Sequence, residues 1–67
     1  MYANLIGQAK YRNMSDEDMG KVIGTTRQTY ASKVKNGNFT CKEIKCLLRF
    51  FKKDFEYLFY EEGDHDA

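Results

Sequence analysis

Ser15-Asp16-Glu17-Asp18-Met19-Gly20-Lys21-Val22-Ile23-Gly24-Thr25-Thr26-Arg27-Gln28-Thr29-Tyr30 is the stretch whose reading decides the fold of this chain. Ser15 can cap a helix and Asp18 can reach back to it as an imperfect capping box. The acids of that first turn are favoured by the positive end of the helix dipole, which is a structural use of them. Met19, Val22 and Ile23 supply an apolar stripe, and Gly24 can end the helix in a left-handed conformation, so a helix is predicted over 16–23. Thr26 is a good N-cap for a second helix over 27–35, with Tyr30 and Val34 on one face and Asn36-Gly37-Asn38 closing it. Gly20 costs about 1 kcal/mol relative to alanine inside a helix, a loss that makes sense if the next helix packs close against its bare backbone. The alternative is a surface glycine in a weak helix. Two short helices meeting at Gly24-Thr25, the second opening with polar residues and flanked by positive charge, have the sequence form of a helix-turn-helix.

On either side of this unit the pattern stays helical. Leu5, Ile6 and Ala9 have helical spacing, which gives a short amphipathic helix over 3–12 interrupted by Gly7. In Phe39-Thr40-Cys41-Lys42-Glu43-Ile44, Thr40 and Glu43 form a capping box, and Phe39 and Ile44 occupy the positions of a hydrophobic staple. The helix that starts there has Ile44, Leu47, Leu48 and Phe51 as its apolar stripe and Lys42, Lys45, Arg49, Lys52 and Lys53 as its basic remainder. Asp54 caps a last short helix from Phe55 to about Tyr60. The expected fold is all-α, a compact five-helix bundle containing a helix-turn-helix, with one domain over residues 1–60 and an acidic disordered tail over 61–67.

The chain has 67 residues, of which 42% are hydrophobic, 15% aromatic and 31% charged, with no proline. At this size only about 60% of the unfolded chain's surface can be buried, which excludes a second domain and disfavours a large active-site cleft. The apolar runs fall far short of the roughly 20 residues that a spanning helix needs, so no membrane association is expected. In the opening MYANLIGQAKYR the basic residues follow a short apolar stretch, the wrong order for a secretory signal. The net charge of +1 conceals a segregation: all 11 Lys and Arg lie in residues 1–53 with only four acids, whereas residues 54–67 hold six acids and neither Lys nor Arg. A basic body suits a polyanion such as nucleic acid, although a solvated surface fits many small proteins as well. Cys41 and Cys46, five apart on one helix, point to different faces, and His65 is the only histidine, so no disulfide, metal site or cofactor is expected. No nucleophile-base pair, paired-carboxylate site or phosphate-cradling glycine loop can be assembled, and neither an enzyme nor a small-molecule substrate is expected.

Over about residues 3–60 the chain resembles the helix-turn-helix domains of phage Cro and repressor proteins, the lambda-repressor-like fold shared with the xenobiotic-response-element regulators. The residues that carry the resemblance are those of 15–24 and 25–30 quoted above, Asn36-Gly37, Phe39-Thr40 through Glu43-Ile44, and Glu56-Tyr57-Leu58-Phe59. The chain departs from the family's commonest pattern at Gly20, where alanine is usual, and in the stretch from Gly24 to Gly37, which is one residue longer.

The resemblance implies a sequence-specific transcriptional regulator of a phage or prophage, a repressor that binds double-stranded DNA at a palindromic operator as a homodimer. It would act in the cytoplasm of a bacterial host, associated with the nucleoid. It also implies that the third helix enters the major groove with its first residues at base edges. The faces agree, because turning Tyr30 and Val34 inward turns Gln28 and Ser32 outward while Arg27 can swing across the groove. Arg27 suits guanine O6 and N7, Gln28 suits adenine N6 and N7, Ser32 can meet either, and Ala31 can touch a thymine methyl. Thr25, Thr26, Lys33, Lys35, Asn36 and Asn38 are candidates for phosphate contacts, although Lys33 could equally cover the core with its alkyl stem. The C-terminal aromatics exceed what one short helix can hide. Phe55 and Leu58 are expected to pack on helices one and four, leaving Tyr57, Phe59 and Tyr60 for a symmetric dimer interface. The alternative is a protein-interaction module encoded by a mobile element, an adaptor or inhibitor that keeps the fold without operator binding.

Overall fold

A computed structural model describes residues 2–61. The remaining positions, including most of the expected acidic tail and His65, lie outside the described residues. Among the described residues the chain is entirely helical: α1 (Ala3–Tyr11), α2 (Asp16–Ile23), α3 (Arg27–Asn36), α4 (Cys41–Phe51) and α5 (Phe55–Leu58).

Local hydrogen bonds account for where these helices begin. Ser15 Oγ accepts the N–H of Asp18 at 3.2 Å and Asp18 Oδ2 accepts that of Ser15 at 3.0 Å. Thr40 and Glu43 repeat the exchange at 3.2 and 3.0 Å. Thr26 Oγ1 accepts from Thr29 at 3.2 Å and Asp54 Oδ1 from Tyr57 at 3.3 Å. Each cap satisfies backbone donors that a helix start leaves unpaired. Gly24, at φ +78°, ends α2 in the left-handed conformation that glycine adopts without penalty. Lys52 ends α4 at φ +57°, where a residue with a Cβ is strained.

Leu5, Ala9, Met19, Tyr30, Leu47, Phe51, Leu58 and Phe59 form the buried core, joined at its edge by Val22, Val34, Phe39, Ile44 and Leu48. Helix α2 packs on α3 and α4, and α5 closes the bundle against α1 and α4. Phe39 is the aromatic hub: its ring centroid lies 6.1 Å from that of Tyr2, 6.0 Å from Tyr30 and 5.7 Å from Phe59. Burying each of the large side chains contributes about 1.5–3 kcal/mol, which is how so short a chain offsets its ordering entropy.

The C-terminal aromatics depart from expectation. Phe59 is 9% exposed, edge-on to Tyr2 at 5.2 Å, so it belongs to the core and not to a dimer surface. Phe55 is 51% exposed and merely stacks on Phe59 at 5.4 Å. The reason is what Phe59 meets. The helix ends at Leu58 rather than near Tyr60, and Phe59, whose N–H still donates to the Phe55 carbonyl at 3.0 Å, lies beside Leu58 on the inner side where it meets Tyr2 and Phe39.

Candidate nucleic-acid interface

The geometry that positions α3 starts at Gly20. This residue is buried, and a Cβ built on it would stand 2.8 Å from the carbonyl oxygen of Thr25 and 3.0 Å from that of Thr26. The N–H of Thr25 donates to the Gly20 carbonyl at 2.7 Å. The turn therefore lies directly on the bare backbone of α2, and the surface-glycine alternative fails. The contact is between backbones, so the angle at which α3 leaves α2 does not depend on the side chains α3 carries outward.

Tyr30 is 2% exposed and Val34 is half-buried, which anchors one face of α3. Arg27, Gln28, Ala31, Ser32, Lys35 and Asn36 are all exposed. Ser32 Oγ accepts from Asn36 Nδ2 at 3.2 Å, so these two form one polar patch a turn along from Gln28. Ala31 and Lys35 turn away from that patch toward α1, where they line a groove. The Thr26 hydroxyl is occupied, accepting from the Thr29 N–H and donating to Thr29 Oγ1 at 3.0 Å. Thr25 is half-buried in the turn, and Asn38 is exposed after Gly37.

Lys33 leaves the set of candidates. Its Nζ pairs with Glu43 Oε1 at 3.2 Å, both side chains being 17% exposed, so it fastens α3 to α4 rather than facing outward. Burial pushes the Glu43 carboxyl up, but the Thr40 N–H and the Lys33 charge outweigh it and hold the group below its ordinary value. A pair separated by ten residues across a loop has no local sequence signal.

Two features escaped the sequence reading. Glu17, on the first turn of α2, lines a shallow depression together with Thr26, Arg27 and Gln28, so an acid borders the start of α3. The guanidinium of Arg12 stands 5.0 Å from the ring centroid of Phe51 and 5.8 Å from that of Phe50, joining the end of α1 to the end of α4. Neither the acidic run after Ser15 nor the Arg12-Asn13-Met14 stretch before α2 hints at these contacts.

No helix among the described residues is long and apolar enough to cross a membrane. Comparison with protein-family models, with curated proteins and with solved structures finds no match for this chain.

Proposed function

We propose that this chain is a sequence-specific DNA-binding regulator in which α2, the turn and α3 form a helix-turn-helix, a Cro-like phage or prophage repressor of the lambda-repressor-like fold. The observation that carries this reading is the backbone contact of Gly20 with Thr25 and Thr26, which holds α3 in one orientation while leaving Arg27, Gln28 and Ser32 exposed and clear of the core. In this reading α3 lies in the major groove. Arg27 forks onto guanine O6 and N7 and Gln28 onto adenine N6 and N7, each good pair contributing about 1–3 kcal/mol of discrimination. Ser32 meets the next base through the hydroxyl it shares with Asn36. Lys35 and Asn38 engage phosphates from side chains, and Thr26 from its backbone N–H at the helix start, whereas the Thr25 N–H is held by the Gly20 carbonyl. Occupying an operator in this way excludes polymerase, and no covalent chemistry is involved.

The chain pairs as a homodimer through Phe55, Tyr57 and Tyr60, which are 51%, 42% and 48% exposed and all lie on the short C-terminal segment. This surface replaces the expected set by exchanging Phe59 for Phe55. Such a dimer reads two half-sites about one helical turn apart. The site of action is the nucleoid in the cytoplasm of a bacterial host.

A second reading, a protein-interaction module, is favoured by one observation: the exposed Glu17 stands beside Arg27, where phosphates would otherwise approach. Selection of bound sites from random duplex DNA separates the two. The DNA reading expects an enriched palindrome, lost when Arg27 and Gln28 are both replaced by alanine while the fold persists. It also expects log affinity to fall against log salt with a slope of about −7 if a dimer neutralises about eight phosphates. No enrichment at near-physiological salt, where specific and nonspecific binding separate by about 10³ or more, refutes it in favour of the protein-interaction module.

A further inference from the structure

The α1–α3 side of the molecule carries a feature of which the proposed DNA reading uses only Lys35, at its rim. Helix α1 leans away from α3, and between them opens a cavity of about 620 Å³. Small-molecule sites commonly measure about 300–1,000 Å³ and combine apolar walls with a few polar groups that fix orientation. The walls here are apolar, formed by Ile6, Ala9, Met14, Ala31 and Val34. Met14 places a polarisable sulfur where an aromatic ring packs well.

The polar groups are specific. Tyr30 lines the cavity, and its side chain is almost wholly enclosed. Its hydroxyl makes no hydrogen bond among the described residues, yet no side-chain oxygen or nitrogen among them is both sealed from solvent and unpartnered. The hydroxyl therefore keeps its access to the cavity, as a partnerless donor and acceptor in apolar surroundings that a ligand's polar atom would satisfy. Burial pushes this phenol well above its ordinary value, and the negative charge of Asp16, also on the cavity wall, pushes it the same way, which places that carboxylate within electrostatic reach of the hydroxyl. Lys10 and Lys35 stand on the same rim. None of Lys10, Asp16 and Lys35 belongs to an ion pair among the described residues.

We propose that the groove between α1 and α3 binds a small zwitterion with an aromatic body, an aromatic amino acid or a molecule of that make-up. The ring lies against Met14, Ala9 and Val34. The ammonium group donates to Asp16 and to the Tyr30 oxygen, and the carboxylate is held by Lys10 and Lys35. Every unpaired polar group on the wall then has a partner of the right sign, which neither an anion nor a cation alone would provide.

The test uses the isotope-labelled full chain without DNA, so its outcome is independent of the DNA reading. Phenylalanine, 3-phenylpropionate (which lacks the amine) and 2-phenylethylamine (which lacks the carboxylate) are titrated while the resonances of Ala9, Ala31 and Val34 are followed. Phenylalanine is expected to saturate these shifts, with each analogue at least about tenfold weaker, the factor that one lost charge-assisted contact accounts for. Asp16→Asn should weaken phenylalanine and spare 3-phenylpropionate, whereas Lys35→Ala should weaken phenylalanine and spare 2-phenylethylamine. Tyr30→Phe should weaken phenylalanine without lowering the unfolding temperature, which separates a lost contact from a lost fold. Absence of saturable shifts up to about 10 mM, where even a millimolar site would be mostly filled, overturns the proposal, and so does equal binding of all three compounds.

Discussion

Two glycines in helix interiors offer a paired perturbation in which the same chemical change has opposite expected signs. Replacing glycine by alanine inside a helix is intrinsically favourable by about 1 kcal/mol, because alanine loses less backbone freedom on folding. At Gly7 in α1 the added methyl meets nothing within 4 Å, so that gain should appear undiminished. At Gly20 the methyl would stand 2.8 Å from the Thr25 oxygen, 3.0 Å from the Thr26 oxygen and 3.1 Å from the Thr26 carbonyl carbon. All three neighbours are backbone, so no side chain can swing aside; the turn must lift, and the 2.7 Å bond from the Thr25 N–H to the Gly20 carbonyl must lengthen. Overpacking of this kind costs about 1–3 kcal/mol, and at the upper part of that range it outweighs the helical gain by about 1–2 kcal/mol. For a domain of this size 1 kcal/mol corresponds to about 4–8 °C. Thermal unfolding followed by circular dichroism at the helical band should therefore show Gly7→Ala melting about 4–8 °C higher than the parent and Gly20→Ala melting about 4–16 °C lower. A rise for Gly20→Ala comparable to that for Gly7→Ala would refute the reasoning, since it would mean that the turn rests on α2 without being tight against it.

Further outcomes follow from other parts of the structure. Lys52 holds a left-handed conformation at the end of α4, so Lys52→Gly should stabilise the chain by about 1 kcal/mol, measured as a shift in the urea midpoint at constant slope. Glu43 has its folded-state pKa lowered, so the stability it contributes is complete above its unfolded value of about 4.3 and is lost as pH falls through the folded value. Stability profiles between about pH 5 and 3 should accordingly fall more steeply for the parent than for Glu43→Gln, and parallel profiles would contradict the assignment. Phe55→Lys combined with Tyr60→Lys should convert a dimer into a monomer in sedimentation with the melting temperature nearly unchanged, because both side chains are about half exposed in the protomer. Coincident loss of the fold would place them in the core instead.

The parts of the fold that could be read from the sequence are those fixed within four residues. The caps at Ser15, Thr26, Thr40 and Asp54 are each a side chain accepting a backbone N–H three positions on, and α2 and the starts of α3, α4 and α5 lie where those residues put them. Gly20 was legible for a different reason: its presence is a local loss, and a local loss in a short helix points to a neighbour. What could not be read depends on non-local geometry. Phe55 and Phe59 are one helical turn apart and chemically identical, and only the Tyr2 and Phe39 rings, which meet Phe59, decide which is buried. The Lys33–Glu43 pair spans a loop, and the α1–α3 groove exists because two helices distant in sequence fail to close. Lys52 has no glycine to announce its left-handed turn.

The candidate site was legible by subtraction, and this bears on how the protein can change. Once Tyr30 and Val34 are turned inward, Arg27, Gln28 and Ser32 are what remains on the outer face, and none of them makes a contact with the core. The placement of α3 rests on Gly20 meeting the backbone of Thr25 and Thr26, on the cap at Thr26 and on the Lys33–Glu43 pair, and none of these involves an outward side chain. In the proposed reading, stability and recognition are therefore carried by separate residues on the same ten-residue helix. Substitutions at 27, 28 and 32 should then alter the preferred base sequence with changes in stability within about 0.5 kcal/mol, as for surface positions generally. Substitutions at Gly20, Thr26 or Lys33 should lower stability first and affect binding only through it. A variant at 27 or 28 that lost binding by unfolding would show that the outer face does support the fold, and the separation argued from the turn geometry would fail.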